Sequence, residues 1–541
     1  MTETLYTGRF RTLADEASEP ATGLLVGDDG RIAAVGEDAA LAAAHPGARR
    51  VALDGWAMPG LIEPHGHPGT AAVLCSELVV DIRPVVVPDA DGVLAALRRA
   101  VAAGGPIFAN GWDGLLQRGL PAPDRAWLDE LAGEVPIVIV HNSGHSAYFN
   151  TAGARLAGLD RETPDPVGAS FGRDARGDLD GIALEAGAVE RVMAPLLARG
   201  RAEFPRLFAA HLAELSALGY TTVADLSWDP ALNPVVDALR GSGGGAGRLP
   251  LRLRWYEMSR PGGAPAEAPG RDAVLDPVFR QIGVKTWSDG SPWVGNIATS
   301  FPYLDTEATR SIGLESGHRG RANYSSEELL AIAEPYAAAG WQLACHAHGD
   351  LAIASTLDVY ERLIARHGLV DHRFRLEHVG AATPELYARA AALGVTVSVF
   401  VDHVRYWGEV LVDGLFGPEH GGAWADAGAA FAAGHRATFH NDGWVTPNEP
   451  FRNMAVAETR LTRNGRRMPG GAPVSRADAL RAHTANAAWQ LFGEREIGAL
   501  EPGRFADFII VDRDPVTVPA EQLAETVVHG TYLAGEQVAG A

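Results

Sequence analysis

The feature that most constrains this chain is a recurrence of short apolar runs, each closing on side chains that can hold a metal. The strongest is Pro59-Gly-Leu-Ile-Glu-Pro-His65-Gly-His67-Pro68. Residues i and i+2 of a strand face the same side, so the two imidazoles can converge on one ion. A second pair, His346 and His348, closes an apolar run in Cys345-His-Ala-His-Gly-Asp350. His378 ends Phe374-Arg-Leu-Glu-His, and Asp442 follows the strand that ends at Phe439-His440. In a barrel of parallel strands every carboxyl end opens on one face, where active sites lie. Strand ends delivering these side chains in chain order predict one constellation. Imidazole and carboxylate together suit zinc, or else iron, manganese or nickel.

The rest of the chain fits that frame. Between residues 61 and 494 apolar runs such as Val135-Pro-Ile-Val-Ile-Val, Thr221-Thr-Val-Ala-Asp, Ile282-Gly-Val-Lys-Thr and Val395-Thr-Val-Ser-Val alternate with helical stretches, among them Ser326 to Ala339 and Thr383 to Leu393. Strands alternating with helices argue an α/β fold with a parallel sheet or barrel. Residues 1–60 and 495–541 read instead as short strands, Gly23-Leu-Leu-Val-Gly and Phe508-Ile-Ile-Val-Asp among them. Neither set closes a sheet alone, so the two ends are expected to pair into one small β-sandwich. Glycine and proline clusters at Gly241 to Gly247 and Pro261 to Pro269 read as surface loops.

Composition removes other classes. With 46 Lys and Arg against 67 Asp and Glu the net charge is −21, and no basic run of five or more occurs, which argues against nucleic acid and anionic membranes. No apolar run approaches the roughly 18 residues of a spanning helix. No basic segment followed by an apolar stretch marks a secretory signal. Two cysteines, Cys75 and Cys345, are too few for a disulfide framework and fit a cytoplasmic setting.

Lys285, in Ile282-Gly-Val-Lys-Thr-Trp-Ser-Asp289-Gly, is the odd residue at a strand end. A lysine there costs desolvation unless it is paired, for instance with Asp289, or chemically changed. At this point the chain resembles the amidohydrolase superfamily, and within it family 3, which includes N-substituted formamide deformylases. The first-strand run Met58 to His67 carries the resemblance, with Asn110-Gly-Trp-Asp113, Ser143-Gly-His145, Val284 to Ser291, His346 to Asp350, Arg375-Leu-Glu-His378, Asp442 and Gly498 to Asp512.

The resemblance implies a distorted (β/α)8 TIM barrel with a β-sandwich built from both termini, and a lid-like insertion around residues 75–215. It implies metal ligands His65, His67, Lys285, His346, His378 and Asp442, holding one or two divalent ions, zinc above all, with Lys285 carboxylated where two ions are bound. Hydroxide held by the metal would attack an amide-type carbon, with Asp442 as base and then acid. His145 or His348 would serve the oxyanion. His348, and His440 two residues before Asp442, depart from the family's usual residues. Trp112, Asp113, Trp287, Asp289, Trp293, Trp407, His440 and Trp444 flank strand ends and are candidates for substrate binding. Several tryptophans together favour an apolar or aryl group on a small-molecule substrate, such as an N-substituted amide or formamide. A deaminase or cyclic-amide hydrolase uses the same chemistry, and a non-catalytic scaffold would have replaced its ligands. Oligomerisation is compatible with the superfamily.

Overall fold

The computed structural model describes residues 3–14, 20–241, 249–270 and 273–540, so residues 242–247 of the glycine-rich loop lie outside it. Eight parallel strands form the central sheet: β1 (Leu61–Gly66), β2 (Tyr220–Trp228), β3 (Arg252–Met258), β4 (Phe279–Trp287), β5 (Gln342–Ala347), β6 (Arg375–His378), β7 (Thr396–Val399) and β8 (Thr438–Phe439). They are hydrogen-bonded in chain order from β1 to β8. Side chains bridge the remaining gap. The Glu63 carboxylate of β1 accepts the Asn441 N–H just past β8 at 3.1 Å, and the Tyr220 hydroxyl of β2 donates to Asn441 Oδ1 at 2.9 Å. The result is a nearly closed barrel, as the alternation of strands and helices predicts.

Register sets which side chains share a level. Lys285 lies opposite Ala344, His346 opposite Glu377, and His378 opposite Val399. The helices between strands start on local chemistry. Ser325 caps the helix Ser326–Ala338 through a reciprocal pair with Glu328, and Thr383 caps Pro384–Ala392 by accepting the Leu386 N–H.

Both termini enter one seven-stranded mixed sheet, in which Arg49–Pro59 lies between Thr4–Phe10 and Phe508–Val511. The sheet curls. A bridge between Arg31 and Phe505 returns its far edge onto the C-terminal segment, enclosing Tyr6, Phe10, Leu24, Phe508 and Tyr532.

A third, six-stranded sheet holds Val80–Asp81, Ile107–Trp112, Ile137–His141, Ser146–Phe149, Ser170–Arg173 and Leu179–Leu184. The run Val135 to Val140 therefore belongs here and not among the barrel strands. A strand buried on both faces gives the same continuous apolar signal in either sheet. The 32-residue helix Ala186–Ala217 returns the chain to β2, and no described helix is long and apolar enough to cross a membrane.

A buried ion pair joins barrel and terminal sheet. Arg252 of β3 donates from Nε to Asp507 Oδ2 at 2.6 Å and from Nη2 to Oδ1 at 3.0 Å, with both side chains 2% exposed. Asp507→Ala is expected to cost about 3–5 kcal/mol, because it leaves a buried guanidinium uncompensated, and Asp507→Ala with Arg252→Leu is expected to recover part of that loss. Urea unfolding checks this, and a single variant as stable as wild type would contradict it.

Candidate metal centre

The carboxyl ends of β1, β4, β5 and β6 and the segment after β8 bring His65, His67, Lys285, His346, His348, His378, His440 and Asp442 together. The nitrogen and oxygen atoms of His65, His67 and Asp442 lie within 4.8 Å of one another, as do those of His346, His348 and His378, and those of His65, His378 and His440. His67 Nε2 is 3.1 Å and His65 Nε2 3.5 Å from Asp442 Oδ1. Lys285 Nζ is 3.3 Å from His65 Nε2.

Strand parity alone does not produce this convergence. Arg375 and Glu377 share one face of β6, which would send His378 to the other. A backbone φ of 70° at His378 re-aims its ring, and Asp442 adopts 52°. Left-handed conformations cost a non-glycine residue roughly 1–3 kcal/mol and persist where the surroundings enforce them. Here both fall on residues of the cluster.

The partners of His65 fix its protonation. Arg375 grips Glu377 in a buried fork, at 2.7 Å to Oε1 and 3.0 Å to Oε2. Glu377 Oε2 in turn lies 2.5 Å from His65 Nδ1. A carboxylate only accepts, so Nδ1 carries the proton and the Nε2 lone pair faces Asp442 Oδ1. That oxygen is buried and receives no hydrogen bond from the described residues. His67 Nδ1 sits 2.8 Å from Ser227 Oγ, which leaves its Nε2 turned to the same oxygen. The Nε2 atoms of His65 and His67 and the Asp442 carboxylate converge at one place, with the Lys285 amine beside them, and imidazole nitrogens with a carboxylate oxygen so gathered fit a divalent metal.

The electrostatics agree. Burial, with the Lys285 and neighbouring imidazole charges, drives His65 well below its ordinary value, and burial does the same to His346, His348, His378 and His440. Neutral imidazole is the form that ligates. Burial lowers the Lys285 amine to about 8, against the opposing charges of Glu377 and Asp442. Burial opposes ionisation of Asp442, but the neighbouring His67 ring, with His440 and Lys285 beside it, keeps it below the usual carboxylate range.

The remaining expected residues spread over two zones. Near the imidazoles, His145 places Nδ1 2.9 Å from Glu185 Oε2 and its ring 4.6 Å from that of His346. His348 stacks on His378 at 4.7 Å and keeps a buried Nδ1 without a hydrogen-bond partner among the described residues. His440 reaches His378 Nδ1 at 3.1 Å and Ser398 Oγ at 2.8 Å. The half-buried Trp444 lies 5.5 Å from the His67 ring, and Lys285 Nζ is 5.8 Å from the centre of the half-buried Trp287. Asp289 accepts the N–H groups of His348, Gly349 and Ala298, and burial pushes it up to about 7.

Trp112, Asp113, Trp293 and Trp407 are placed differently, in packing. Trp112 lies against Trp127 and Tyr148 in the core of the third sheet. Trp293 and Trp407 stack at 4.7 Å, each 1% exposed. Asp113 is fully buried and accepts from Trp407 Nε1 at 3.0 Å and from the Leu115 and Leu116 N–H groups. These aromatics fill the interior next to His403, 4.9 Å from Trp293, which stands between them and His348.

Glu377, Glu185, Glu63 and His403 escaped the sequence reading. Glu63 alone had a usable signal, since it precedes His65 by two residues on the same strand face.

A nearly closed parallel barrel with buried imidazoles, a lysine and a carboxylate at its strand ends defines a metal-dependent hydrolase. The chain belongs to the amidohydrolase family, whose sequence profile matches residues 52–539. It is 27% identical over 528 residues to the N-substituted formamide deformylase of Arthrobacter pascens, covering 94% of this chain and 93% of that protein. It is also 27% identical over 530 residues to Protein LONG AFTER FAR-RED 3 of Arabidopsis thaliana, covering 94% and 87%. Among solved structures it is similar to an uncharacterized metal-dependent hydrolase from Pyrococcus horikoshii OT3, with a TM-score of 0.71 and 22% identity over 96% of this chain and 99% of that one.

Five buried imidazoles held below the ordinary value of 6.5 make stability depend on pH. The folded chain refuses protons that the unfolded chain binds below about pH 6.5, so stability is present above that pH and lost as pH falls, by about 1.4 kcal/mol per pH unit for each proton. Chelator-treated protein is expected to show a urea midpoint at about pH 5.5 well below that at about pH 7.5. Equal midpoints would mean that these rings titrate normally.

Proposed function

We propose that the chain hydrolyses a C–N bond of an N-substituted amide or formamide carrying an apolar or aryl group, at a zinc centre of one or two ions held by His65, His67, Lys285, His346, His378 and Asp442. The carrying observation is the convergence of His65 Nε2 and His67 Nε2 on a buried Asp442 oxygen that receives no hydrogen bond from the described residues. The likeness to the formamide deformylase supports the substrate class. When bound, the ion supplies Lewis acidity towards the carbonyl and an ionised water near neutral pH.

The chain's own residues supply the remaining steps. Asp442 Oδ2, the oxygen on the His378 side, takes the proton of the attacking water and passes it to the leaving amine. Burial works against protonation of His145, but the Glu185 charge and hydrogen bond raise its pKa, so the ring donates to the developing oxyanion while Nδ1 stays on Glu185. Trp444 and Trp287 offer half-buried indole faces to the aryl group. Lys285 is 1% exposed and makes no ion pair with a described carboxylate. A buried amine with a pKa of about 8 has free base to add carbon dioxide, forming the N–C bond of a carbamate and releasing a proton, which turns an awkward cation into an anionic ligand. The insertion of about residues 75–215, with its six-stranded sheet, serves as a lid over the site. The two free thiols fit a cytoplasmic enzyme.

Hydrolysis of N-benzylformamide and N-methylformamide tests the reading, with kcat/KM expected to be at least about tenfold higher for the benzyl compound, the discrimination an apolar pocket gives. Turnover of neither, with deamination of a heterocyclic amine, would overturn it. Glu377→Gln weakens the hold on His65 Nδ1 and is expected to lower zinc affinity about 10- to 100-fold in a chelator competition, the effect of removing a partner that orients a ligand. Unchanged affinity would remove Glu377 from the account.

A further inference from the structure

Away from the histidines, a cavity of about 370 Å3 opens between the inserted sheet and the barrel. Leu115 and Leu116 from the insertion and Val410 from the barrel side give it an apolar floor, each 8% exposed or less. Three arginines, Arg118, Arg405 and Arg463, stand around that floor.

Several arginines elsewhere in this acidic chain meet carboxylates. Arg362 reaches Glu327 at 2.7 Å, Arg389 reaches Asp358 at 2.6 Å, and Arg83 reaches Asp81 at 2.7 Å. The three cavity guanidinium groups form no ion pair and no side-chain hydrogen bond among the described residues, and Arg405 Nε is buried without a partner. The two carboxylates at the cavity edge are already engaged. Asp89 Oδ1 accepts the Gly92 N–H at 2.8 Å, and Glu409 accepts from Thr462 Oγ1 at 2.8 Å and Asn464 Nδ2 at 3.0 Å. A buried guanidinium N–H without an acceptor is costly, and a planar fork matches a carboxylate in two hydrogen bonds.

We propose that this cavity is a binding site for a small organic carboxylate with an apolar body. Its charge meets Arg405 between Arg118 and Arg463, and its body covers Leu115, Leu116 and Val410. The volume suits a molecule of aryl size, since small-ligand pockets begin at roughly 300 Å3. An organic anion can also cover Leu115, Leu116 and Val410, which inorganic phosphate cannot do. The site stands apart from the metal centre. Asp113 and Trp407 wall it off, with Asp113 Oδ1 accepting the Leu115 and Leu116 N–H groups and Oδ2 accepting Trp407 Nε1. An occupant would brace the inserted sheet against the barrel.

Isothermal titration calorimetry of the full chain with benzoate, benzyl alcohol and inorganic phosphate tests this. The comparison is wild type, Arg405→Gln, the double variant Arg118→Gln with Arg463→Gln, and Arg366→Gln, whose guanidinium pairs with Glu334 elsewhere. Arg118 and Arg463 are exposed, so the double variant keeps the test valid if Arg405→Gln fails to fold. Wild type is expected to bind benzoate at least tenfold tighter than benzyl alcohol or phosphate, with binding at least tenfold weaker in Arg405→Gln and in the double variant and unchanged in Arg366→Gln. Benzoate binding that is absent, or equal in all four proteins, overturns the site. Phosphate binding as tight as benzoate overturns the apolar-body assignment.

Discussion

The buried fork between Arg375 and Glu377 is the interaction on which the carboxyl end of the barrel depends. It holds a fully buried carboxylate in place, and that carboxylate fixes the proton of His65 on Nδ1. The tautomer then decides what Nε2 can do. Without Arg375 to hold Glu377 in place, His65 would lose the acceptor that orients it. Arg375 also donates to the Pro64 carbonyl at 3.0 Å, so the same guanidinium ties β6 to the residue preceding His65. One cation thereby sets both the position and the protonation of the first imidazole in the cluster.

The environment enforces neutrality on the neighbouring rings. Five imidazoles packed beside a lysine cannot all charge in a dry interior, so burial leaves them as lone-pair donors. Backbone strain at His378 and Asp442 adds to this arrangement, since both residues adopt left-handed φ values to face the cluster. Such strain is sustained by the rigid barrel on either side, whose strands are paired in unbroken order.

Much of this was legible in the sequence, and the reasons differ by element. The period-two spacing of His65 and His67 and of His346 and His348 carries over, each pair sharing a cluster although His67 and His348 lie one residue beyond their strands. The terminal strands were legible as an incomplete sheet. The strand Thr438–Phe439 is only two residues long, and the approach of Asp442 depends on its φ of 52°, which no periodicity encodes. The Val135 to Val140 run reads like a barrel strand because both environments bury both faces. Glu377 was visible as a residue, but its role needs the long-range register that sets β6 beside β5 and brings it to His65. Position along the chain is the weakest guide for tryptophan, since an indole fills a core, as at Trp112, Trp293 and Trp407, as readily as it lines a pocket.

The central claim is that one metal centre uses both His65 and Lys285. Elemental analysis of purified wild type beside Lys285→Ala and His65→Ala tests it most directly, with circular dichroism confirming that each variant is folded. The account predicts bound zinc in wild type and a loss of zinc in both folded variants. Zinc content unchanged by either substitution would contradict it, and would return Lys285 to a purely structural role.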